Sequence, residues 1–181
     1  MCTQMNIVED EFTCGYTRAM TILLRDVIDS DIPIFFEQQL DPEATAMADF
    51  PARDRESFML HWEKIMADKS VTLKTILFDG QVAGNIVCWE MLGEREVGYW
   101  IGKEFWGRGI ASESLRQFLG VVKSRPLFAH VARHNVASKR VLEKCGFVVV
   151  GEDNYIDRNG RKVEEIVLKL NDHGNGTIKT V

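Results

Sequence analysis

The chain of 181 residues has few features of a disulfide-stabilised, metal-binding or membrane-spanning protein. Its four cysteines lack metal-ligand spacing, and His130 and His134 straddle a strand end, so we predict reduced thiols and no metal site. No apolar run approaches the length of a membrane span, and segment 1–13 lacks the basic-then-apolar pattern of a signal peptide. These absences predict a cytoplasmic protein with no membrane partner.

Positive charge is also limited. Lys and Arg number 22 against 27 Asp and Glu, which gives a formal net charge of −5. Sequence-independent binding to nucleic acid needs a basic surface, so we expect no nucleic-acid partner. A mildly acidic protein is instead suited to a cationic amine.

The common phosphate-binding fingerprints are missing as well. There is no Gly-x-x-x-x-Gly-Lys-Ser/Thr run, and no three-glycine dinucleotide fingerprint follows a strand. The composition, with 45% hydrophobic and 27% charged residues, is that of an ordinary globular domain with a sizeable core.

Hydrophobic periodicity and turn residues predict a mixed α/β (α+β) fold in the order β-α-α-β-β-β-α-β-α-β-β. Helical spacing and caps predict helices at 32–38, 54–68, 109–123 and 136–144. Alternating and β-branched runs predict strands at 20–25, 71–78, 81–91, 94–101, 127–132, 147–155 and 162–170.

Local signals and composition complete this outline. Asp29-Ser30-Asp31 offers N-caps for the first helix, which Asp41-Pro42 is expected to end. Asp79-Gly80 predicts a tight hairpin turn. A single domain over 19–170 is expected between an N-terminal extension, 1–18, and a flexible C-terminal tail, 171–181.

Two motifs in the second half of the chain carry the chemistry. In Trp106-Gly107-Arg108-Gly109-Ile110-Ala111, a glycine loop opens a helix after an apolar strand, so free backbone N–H groups can face a phosphate. About one helix and one strand later comes a short helix with a polar start and a Gly-Phe exit, from Asn135 to Phe147. Asn135 is also a good N-cap for that helix.

Together, in this order and spacing, the two motifs resemble the acetyl-CoA site of the GNAT acetyltransferase superfamily. The closer resemblance is to its RimJ/RimL-type branch, the ribosomal-protein alanine acetyltransferases and their relatives. It implies a mostly antiparallel, twisted sheet with helices on both faces. It also implies acetyl-CoA as co-substrate and an amine-bearing acceptor, either a small molecule or a protein N-terminus.

By this resemblance, the cofactor contacts come from three segments. The strand before the glycine loop pairs through its backbone with the pantetheine arm, the loop and the following helix hold the pyrophosphate, and the start of the later helix contacts the CoA arm. The implied cofactor residues are Tyr99, Trp100, Ile101, Trp106, Gly107, Arg108, Gly109, Ile110, Ala111, Ser112, Asn135, Ser138 and Arg140.

The chain departs from the family pattern at two positions. Glu104 stands where relatives usually have Gln or Arg, so residue 104 itself is assigned no role. Leu142 stands where many relatives place a tyrosine as general acid, and leucine has no proton to donate.

Acetyl transfer to an amine requires loss of a proton from the ammonium, and the departing thiolate benefits from a proton donor. In RimJ/RimL-type sequences the Ser of Asn-x-x-Ser is the proposed donor, which assigns that role to Ser138. Glu96 is the first candidate for the base, because strand alternation places it on the same face as Gly98 and Trp100. Glu90, on the neighbouring strand, is the second.

We therefore predict an acetyl-CoA-dependent N-acetyltransferase acting on a primary amine, as a monomer or homodimer. The alternative is a non-catalytic GNAT-fold protein that binds acyl-CoA or serves as a sensor, which the missing tyrosine favours slightly. An unrelated α/β nucleotide-binding protein is the third hypothesis, and the missing fingerprints oppose it.

Overall fold

The computed structural model describes residues 20–157 and 159–172. The predicted N-terminal extension, 1–18, and most of the predicted tail lie outside this part of the chain. The described residues form seven strands and five helices. None of these helices combines the length and the apolar character that crossing a bilayer requires.

The elements lie close to their predicted positions. The strands are β1 Ile22–Arg25, β2 Thr72–Phe78, β3 Gln81–Met91, β4 Glu94–Ile101, β5 Leu127–Ala132, β6 Val148–Ile156 and β7 Lys162–Leu170. The helices are α1 Ile32–Gln39, α2 Pro42–Ala48, α3 Arg55–Ala67, α4 Ile110–Val121 and α5 Val136–Lys144. Short 3-10 turns at Asp29–Asp31 and Lys103–Phe105 precede α1 and the glycine loop.

All seven strands form one sheet in the order β1-β2-β3-β4-β5-β7-β6. Neighbouring strands are antiparallel except for β4 and β5, which run parallel. Asp79 and Gly80 both have positive φ, 48° and 84°, as a tight hairpin turn requires. The predicted mixed, mostly antiparallel sheet is confirmed.

Helices cover both faces of the sheet, and each face has its own core. α4 and α5 pack on what we call the α4 face, whose core includes Val97 of β4, Phe118 and Leu142. α1 and α3 pack on the opposite side, the α1 face, around Phe35 and Trp62. Because side chains alternate along a strand, the neighbours of Val97 on β4 point to the α1 face.

The sequence prediction missed α2. Asp41-Pro42 was expected to end the first helix, but it also begins a second one. The Asp41 carboxylate accepts hydrogen bonds from the backbone N–H groups of Glu43 and Ala44, both at 2.9 Å. Pro42 lies in the first turn, where a missing N–H leaves no hydrogen bond unmade. The predicted order of elements is therefore one helix short.

Asp31 holds the predicted N-cap position of α1, but its side chain does not cap the helix. Asp29–Asp31 form a 3-10 turn. The Asp31 carboxylate is instead buried, 1% exposed, and accepts hydrogen bonds from both terminal nitrogens of Arg25 at 2.6 and 2.7 Å. The Thr75 hydroxyl donates to it at 2.6 Å. One carboxylate thus joins β1, β2 and the start of α1.

We expect Asp31→Asn to lower the free energy of unfolding by about 3 kcal/mol at pH 7, because it leaves the Arg25 cation without its buried partner. Urea denaturation would measure this. Burial alone would raise the pKa of Asp31, but the hydrogen bonds from Arg25, Thr75 and the Ile28 N–H hold it below its usual value. A carboxylate whose pKa is lower in the folded than in the unfolded protein stabilises the fold at pH values above its ordinary pKa of about 3.9. That stabilisation is lost as the pH falls through the folded-state pKa.

The difference between wild type and Asp31→Asn should therefore shrink as the pH is lowered below about 4. The matched control is Asp29→Asn, in the same 3-10 turn but exposed, which should unfold like wild type. An equal loss for both variants, or a loss at pH 7 that persists unchanged at pH 3, would contradict this role for Asp31.

Candidate functional site

The parallel strands β4 and β5 form a fork. They pair at Arg95–Leu127 and Glu96–Phe128, and no further pairing between them is found in the described part of the chain. β4 continues to Ile101 and β5 to Ala132. Beyond the fork, the facing edges of the two strands therefore carry backbone N–H and C=O groups without a strand partner, and such groups need a hydrogen-bonding partner from elsewhere.

A cavity of about 530 Å³ opens beside the end of β4, where its edge toward β5 is free. It brings together every cofactor residue predicted from the sequence except Arg108. Residues from β4, the glycine loop and the starts of α4 and α5 line it: Tyr99, Trp100, Ile101, Trp106, Gly107, Gly109, Ile110, Ala111, Ser112, Asn135, Ser138 and Arg140.

The glycine loop has the geometry of an anion cradle. Gly107 and Gly109 both have φ of 74°, a conformation that residues with a side chain rarely adopt. A Cβ at either position would meet no atom within 4 Å. Gly109 is the N-cap of α4 and brings no capping side chain, so the first N–H groups of α4 have no partner within the helix. The loop thus leaves donors and space on the cavity side.

Positive charge at the cavity comes from α5 rather than from the glycine loop. The Arg108 guanidinium lies over the rings of Phe78 and Phe105, 5.5 and 6.0 Å from their centroids, and does not line the cavity. Arg140 does line it, and so does Lys144, which the sequence analysis missed. Its position could have been predicted from spacing: Lys144 follows Arg140 by four residues on α5, and residues four apart on a helix share a face.

The start of α5 is fixed by its cap and by a tyrosine. Asn135 Oδ1 accepts a hydrogen bond from the Ser138 N–H at 3.0 Å, which confirms the predicted N-cap. The Ser138 hydroxyl lies 2.9 Å from the hydroxyl of Tyr99, within hydrogen-bond distance. Burial raises the pKa of Tyr99 to about 12, so this hydroxyl stays protonated. Leu142 is 1% exposed and belongs to the α4-face core.

The two candidate bases lie in different surroundings, and neither lines the cavity. Glu96 is partly buried at the fork, on the α1 face opposite Val97. Burial raises the pKa of Glu96, while the neighbouring His130 lowers it. Glu90 is exposed, and it pairs with Arg95, so it points to the opposite face from Glu96.

A further wall of the cavity comes from α2, through Ala44, Met47 and Ala48. None of these three residues was predicted to belong to the site, because Asp41-Pro42 was expected to end a helix. Among residues 20–157 and 159–172, no cluster of three or more His, Cys, Asp or Glu side chains is arranged to hold a metal ion.

A forked strand pair, a glycine loop and two helix starts meet at one cavity, an arrangement suited to an elongated, phosphate-bearing ligand. A family model described as an acetyltransferase (GNAT) domain matches residues 21–148. The chain belongs to the GNAT acetyltransferase family, as the sequence motifs predicted.

Individual relatives agree with this assignment. YdaF of Bacillus subtilis (strain 168), provisionally described as a ribosomal N-acetyltransferase, is 28% identical over 154 residues, 78% of this chain and 84% of that protein. The fold is similar to that of spermidine N-acetyltransferase from Vibrio cholerae in complex with CoA and spermine, with TM-score 0.71, 17% identity, and 83% and 95% of the two chains covered. It is also similar to RimL, ribosomal L7/L12 alpha-N-protein acetyltransferase in complex with coenzyme A, with TM-score 0.70, 20% identity, and 83% and 94% covered.

The residues around the cavity have the chemistry that coenzyme A requires. Unpartnered N–H groups at the start of α4 suit a pyrophosphate, and the space beside Gly107 and Gly109 permits close approach. The free edge of β4 suits an amide-containing arm. Arg140 and Lys144 supply cations for phosphate groups.

Proposed function

We propose that this protein transfers the acetyl group of acetyl-CoA to a primary amine. The observation that carries the proposal is the fork between β4 and β5, with the phosphate-binding loop and the Ser138 hydroxyl on one cavity beside it. The fork gives a linear ligand an unpaired strand edge to bind. It also separates the α4 face, which holds the tyrosine–serine pair, from the α1 face, which holds the carboxylate predicted as base.

In the proposed reaction, the neutral amine nitrogen attacks the thioester carbonyl carbon. The carbon–sulfur bond then breaks and the thiolate takes up a proton. The acylated nitrogen sheds its excess proton to water, and water in turn restores the proton that the donor hydroxyl gave up. We assign the donor role to the Ser138 hydroxyl, which the Tyr99 hydroxyl orients at 2.9 Å. Because Tyr99 stays protonated, it can donate to the Ser138 oxygen as the serine gives up its proton.

On the α1 face we assign Glu96, the carboxylate predicted as base, to hold the acceptor ammonium where its proton can be removed. Its position at the fork supports this role. Glu90 is the weaker candidate because it is exposed and points to the opposite face.

The acceptor we propose is a cationic amine. Glu96, Glu165 and Asp153 share the α1 face near the fork, because β4, β7 and β6 place them there in register. Such a surface attracts ammonium groups and repels carboxylates. The relatives named above are described as acting on a ribosomal protein or on spermidine, and both carry amines. The predicted cytoplasmic location and the monomeric or dimeric state stay predictions.

The proposal is tested by acetyl-CoA binding and CoA release together. Acetyl-CoA at a hundred times its Kd should stabilise the protein by about 2.7 kcal/mol, which for this chain length raises Tm by roughly 5–10 °C. A thiol reagent would then measure CoA release with a panel of amines: spermine, an aminoglycoside and a peptide with a free N-terminal alanine.

Each outcome of that assay has a distinct meaning. Stabilisation with amine-dependent CoA release supports an N-acetyltransferase. Stabilisation without release for any amine supports the alternative, a non-catalytic acyl-CoA-binding sensor, which the buried Leu142 in place of a tyrosine favours. An unchanged Tm at millimolar acetyl-CoA contradicts both.

A further inference from the structure

His130 lies on β5 just beyond the point where β4 and β5 separate. Strand β5 is paired with β4 up to Phe128, and the next residue of β5 on the α1 face is His130. The intervening residue, Ala129, is buried in the α4-face core, which fixes the alternation. His130 is therefore the first β5 side chain beyond the fork on the face to which we assign the acceptor.

The imidazole of His130 is held by a carboxylate from the neighbouring strand. Nδ1 of His130 lies 3.4 Å from Oε2 of Glu165 on β7. The two side chains are 26% and 16% exposed, so the pair is largely screened from bulk water without being sealed off. When a carboxylate engages Nδ1, the proton of the neutral ring stays on Nδ1, and Nε2 is left with the lone pair that can accept a proton.

Charged groups from three strands surround this ring. Glu96 of β4 and Asp153 of β6 interact electrostatically with it, in addition to Glu165. Val167 of β7 pairs with His130, and Lys169 lies two residues further along β7. The Lys169 ammonium lies over the Phe128 ring, 5.2 Å from its centroid. Three carboxylates therefore act on the imidazole, while the one cation named, Lys169, is engaged with the Phe128 ring; the balance favours the protonated imidazole.

We propose that His130, oriented by Glu165, is the base that removes the proton from the acceptor ammonium, with Glu96 as the anion that holds the ammonium beside it. This inference rests on the proposed acetyl transfer and names the atom that takes the proton. The N–H bond of the ammonium breaks, its proton passes to His130 Nε2, and the freed lone pair attacks the thioester carbonyl. After transfer the imidazolium returns the proton to water.

The chemistry of the two side chains favours His130 over Glu96 for this step. A general base works best when its pKa lies near the working pH. The hydrogen bond that His130 donates to Glu165 and the charge of Glu96 raise the pKa of His130 above its ordinary value of 6.5, although burial opposes this. The ordinary pKa of a glutamate is about 4.3, further from a neutral working pH than that of an imidazole, so the imidazole is the side chain better suited to accept the proton.

Kinetics as a function of pH separate the two residues. Using the amine that releases most CoA in the panel, kcat/KM for the acceptor would be measured from pH 5.5 to 9 at saturating acetyl-CoA. His130→Gln should lower kcat/KM about a hundredfold near pH 7 and remove the acidic limb of the wild-type profile. Glu165→Gln and Glu96→Gln should keep that limb and move it to lower pH, because each removes an anion that favours the imidazolium. Because the same amine is used with every variant, its own ionisation cannot account for differences between the profiles.

The opposite assignment has the opposite pattern. If Glu96 itself took the proton, Glu96→Gln would remove the acidic limb of the profile. His130→Gln would then keep that limb but move it to higher pH, because the carboxylate would have lost a neighbouring cation. That result, or a full-activity His130→Gln protein, overturns the proposal. His61→Gln, on α3, is the matched control for losing an imidazole and should behave as wild type. Stabilisation by acetyl-CoA in each variant shows that it is folded.

A second measurement needs no acceptor. Imidazole nitrogen shifts in labelled protein report the tautomer and pKa of each histidine, and His130→Gln identifies the signal of residue 130. We expect the neutral ring to carry its proton on Nδ1, and its pKa to fall in Glu165→Gln. A proton on Nε2, or an unchanged pKa in that variant, overturns the proposal. If the wild-type protein shows the expected His130 signals but releases no CoA with any amine of the panel, that result would instead count against acetyl transfer.

Discussion

Replacing Gly109 with valine is expected to weaken acetyl-CoA binding at least about a hundredfold, which corresponds to ~2.7 kcal/mol. Gly109 has φ of 74°, where a β-branched residue is strained, and it begins α4 at the point where the first N–H groups of the helix are free. Valine would rotate these donors and fill the space in which we place the pyrophosphate. Isothermal titration calorimetry would measure the loss.

Strain alone does not account for such a loss, and the chain provides a matched control. Gly93, in the turn between β3 and β4, has φ of 84° and an equally open surrounding, but it does not line the cavity. Gly93→Val should lower stability and leave acetyl-CoA affinity close to wild type. Gly109→Ala serves as a milder probe if Gly109→Val does not fold. Equal affinities for the two valine variants would refute the anion cradle.

The second large effect is expected at the tyrosine–serine pair. Ser138→Ala should lower turnover about a hundredfold, since general acid catalysis contributes on the order of 10²–10⁴. Affinity for acetyl-CoA should change little, because the Ser138 N–H still donates to Asn135 and keeps α5 capped. Steady-state CoA release and calorimetry on the same protein would separate the two quantities.

Tyr99→Phe is the informative companion to Ser138→Ala. It removes the hydroxyl 2.9 Å from Ser138 Oγ and retains the ring. If Tyr99 only orients the serine, turnover should fall by a smaller factor, on the order of tenfold, in line with one lost hydrogen bond. A Tyr99→Phe protein that is less active than Ser138→Ala would identify the tyrosine as the proton donor. Collapsed acetyl-CoA affinity in Ser138→Ala would make Ser138 a binding residue.

The cofactor half of the site could be predicted from sequence because its signals are local. Gly107 and Gly109 indicate a backbone conformation with positive φ, and Asn135 indicates the start of a helix, so the residue type alone predicts the local geometry. The β-α-β connection between them follows from periodicity. The pairings of β2 with β3, β3 with β4 and β6 with β7 were predictable to the same extent, because hairpins join these sequence neighbours.

What the sequence could not show depends on pairing between distant segments. Pro42 is compatible with the end of one helix and with the first turn of the next, and only the Asp41 cap distinguishes them. His130 and Glu165 lie on different strands, and nothing local predicts that β7 would be inserted between β5 and β6 to bring them together. The same limit hid the tyrosine–serine contact, because Tyr99 was assigned a backbone role on β4.

Side chains from three other segments of the chain hold α2 and the residue that follows it in place. Lys103 binds Glu43 at 2.5 Å, the His134 ring meets the Ala46 carbonyl at 2.9 Å, and Arg161 pairs with Asp49 just after the helix. The glycine loop presents main-chain donors, whose chemistry does not depend on side-chain identity. The α2 wall is defined by its side chains, such as Met47. Substitutions there would reshape the cavity while the main-chain donors of the glycine loop stay in place, so the shape of the cavity can change, or can diverge between relatives, without altering the loop that offers those donors.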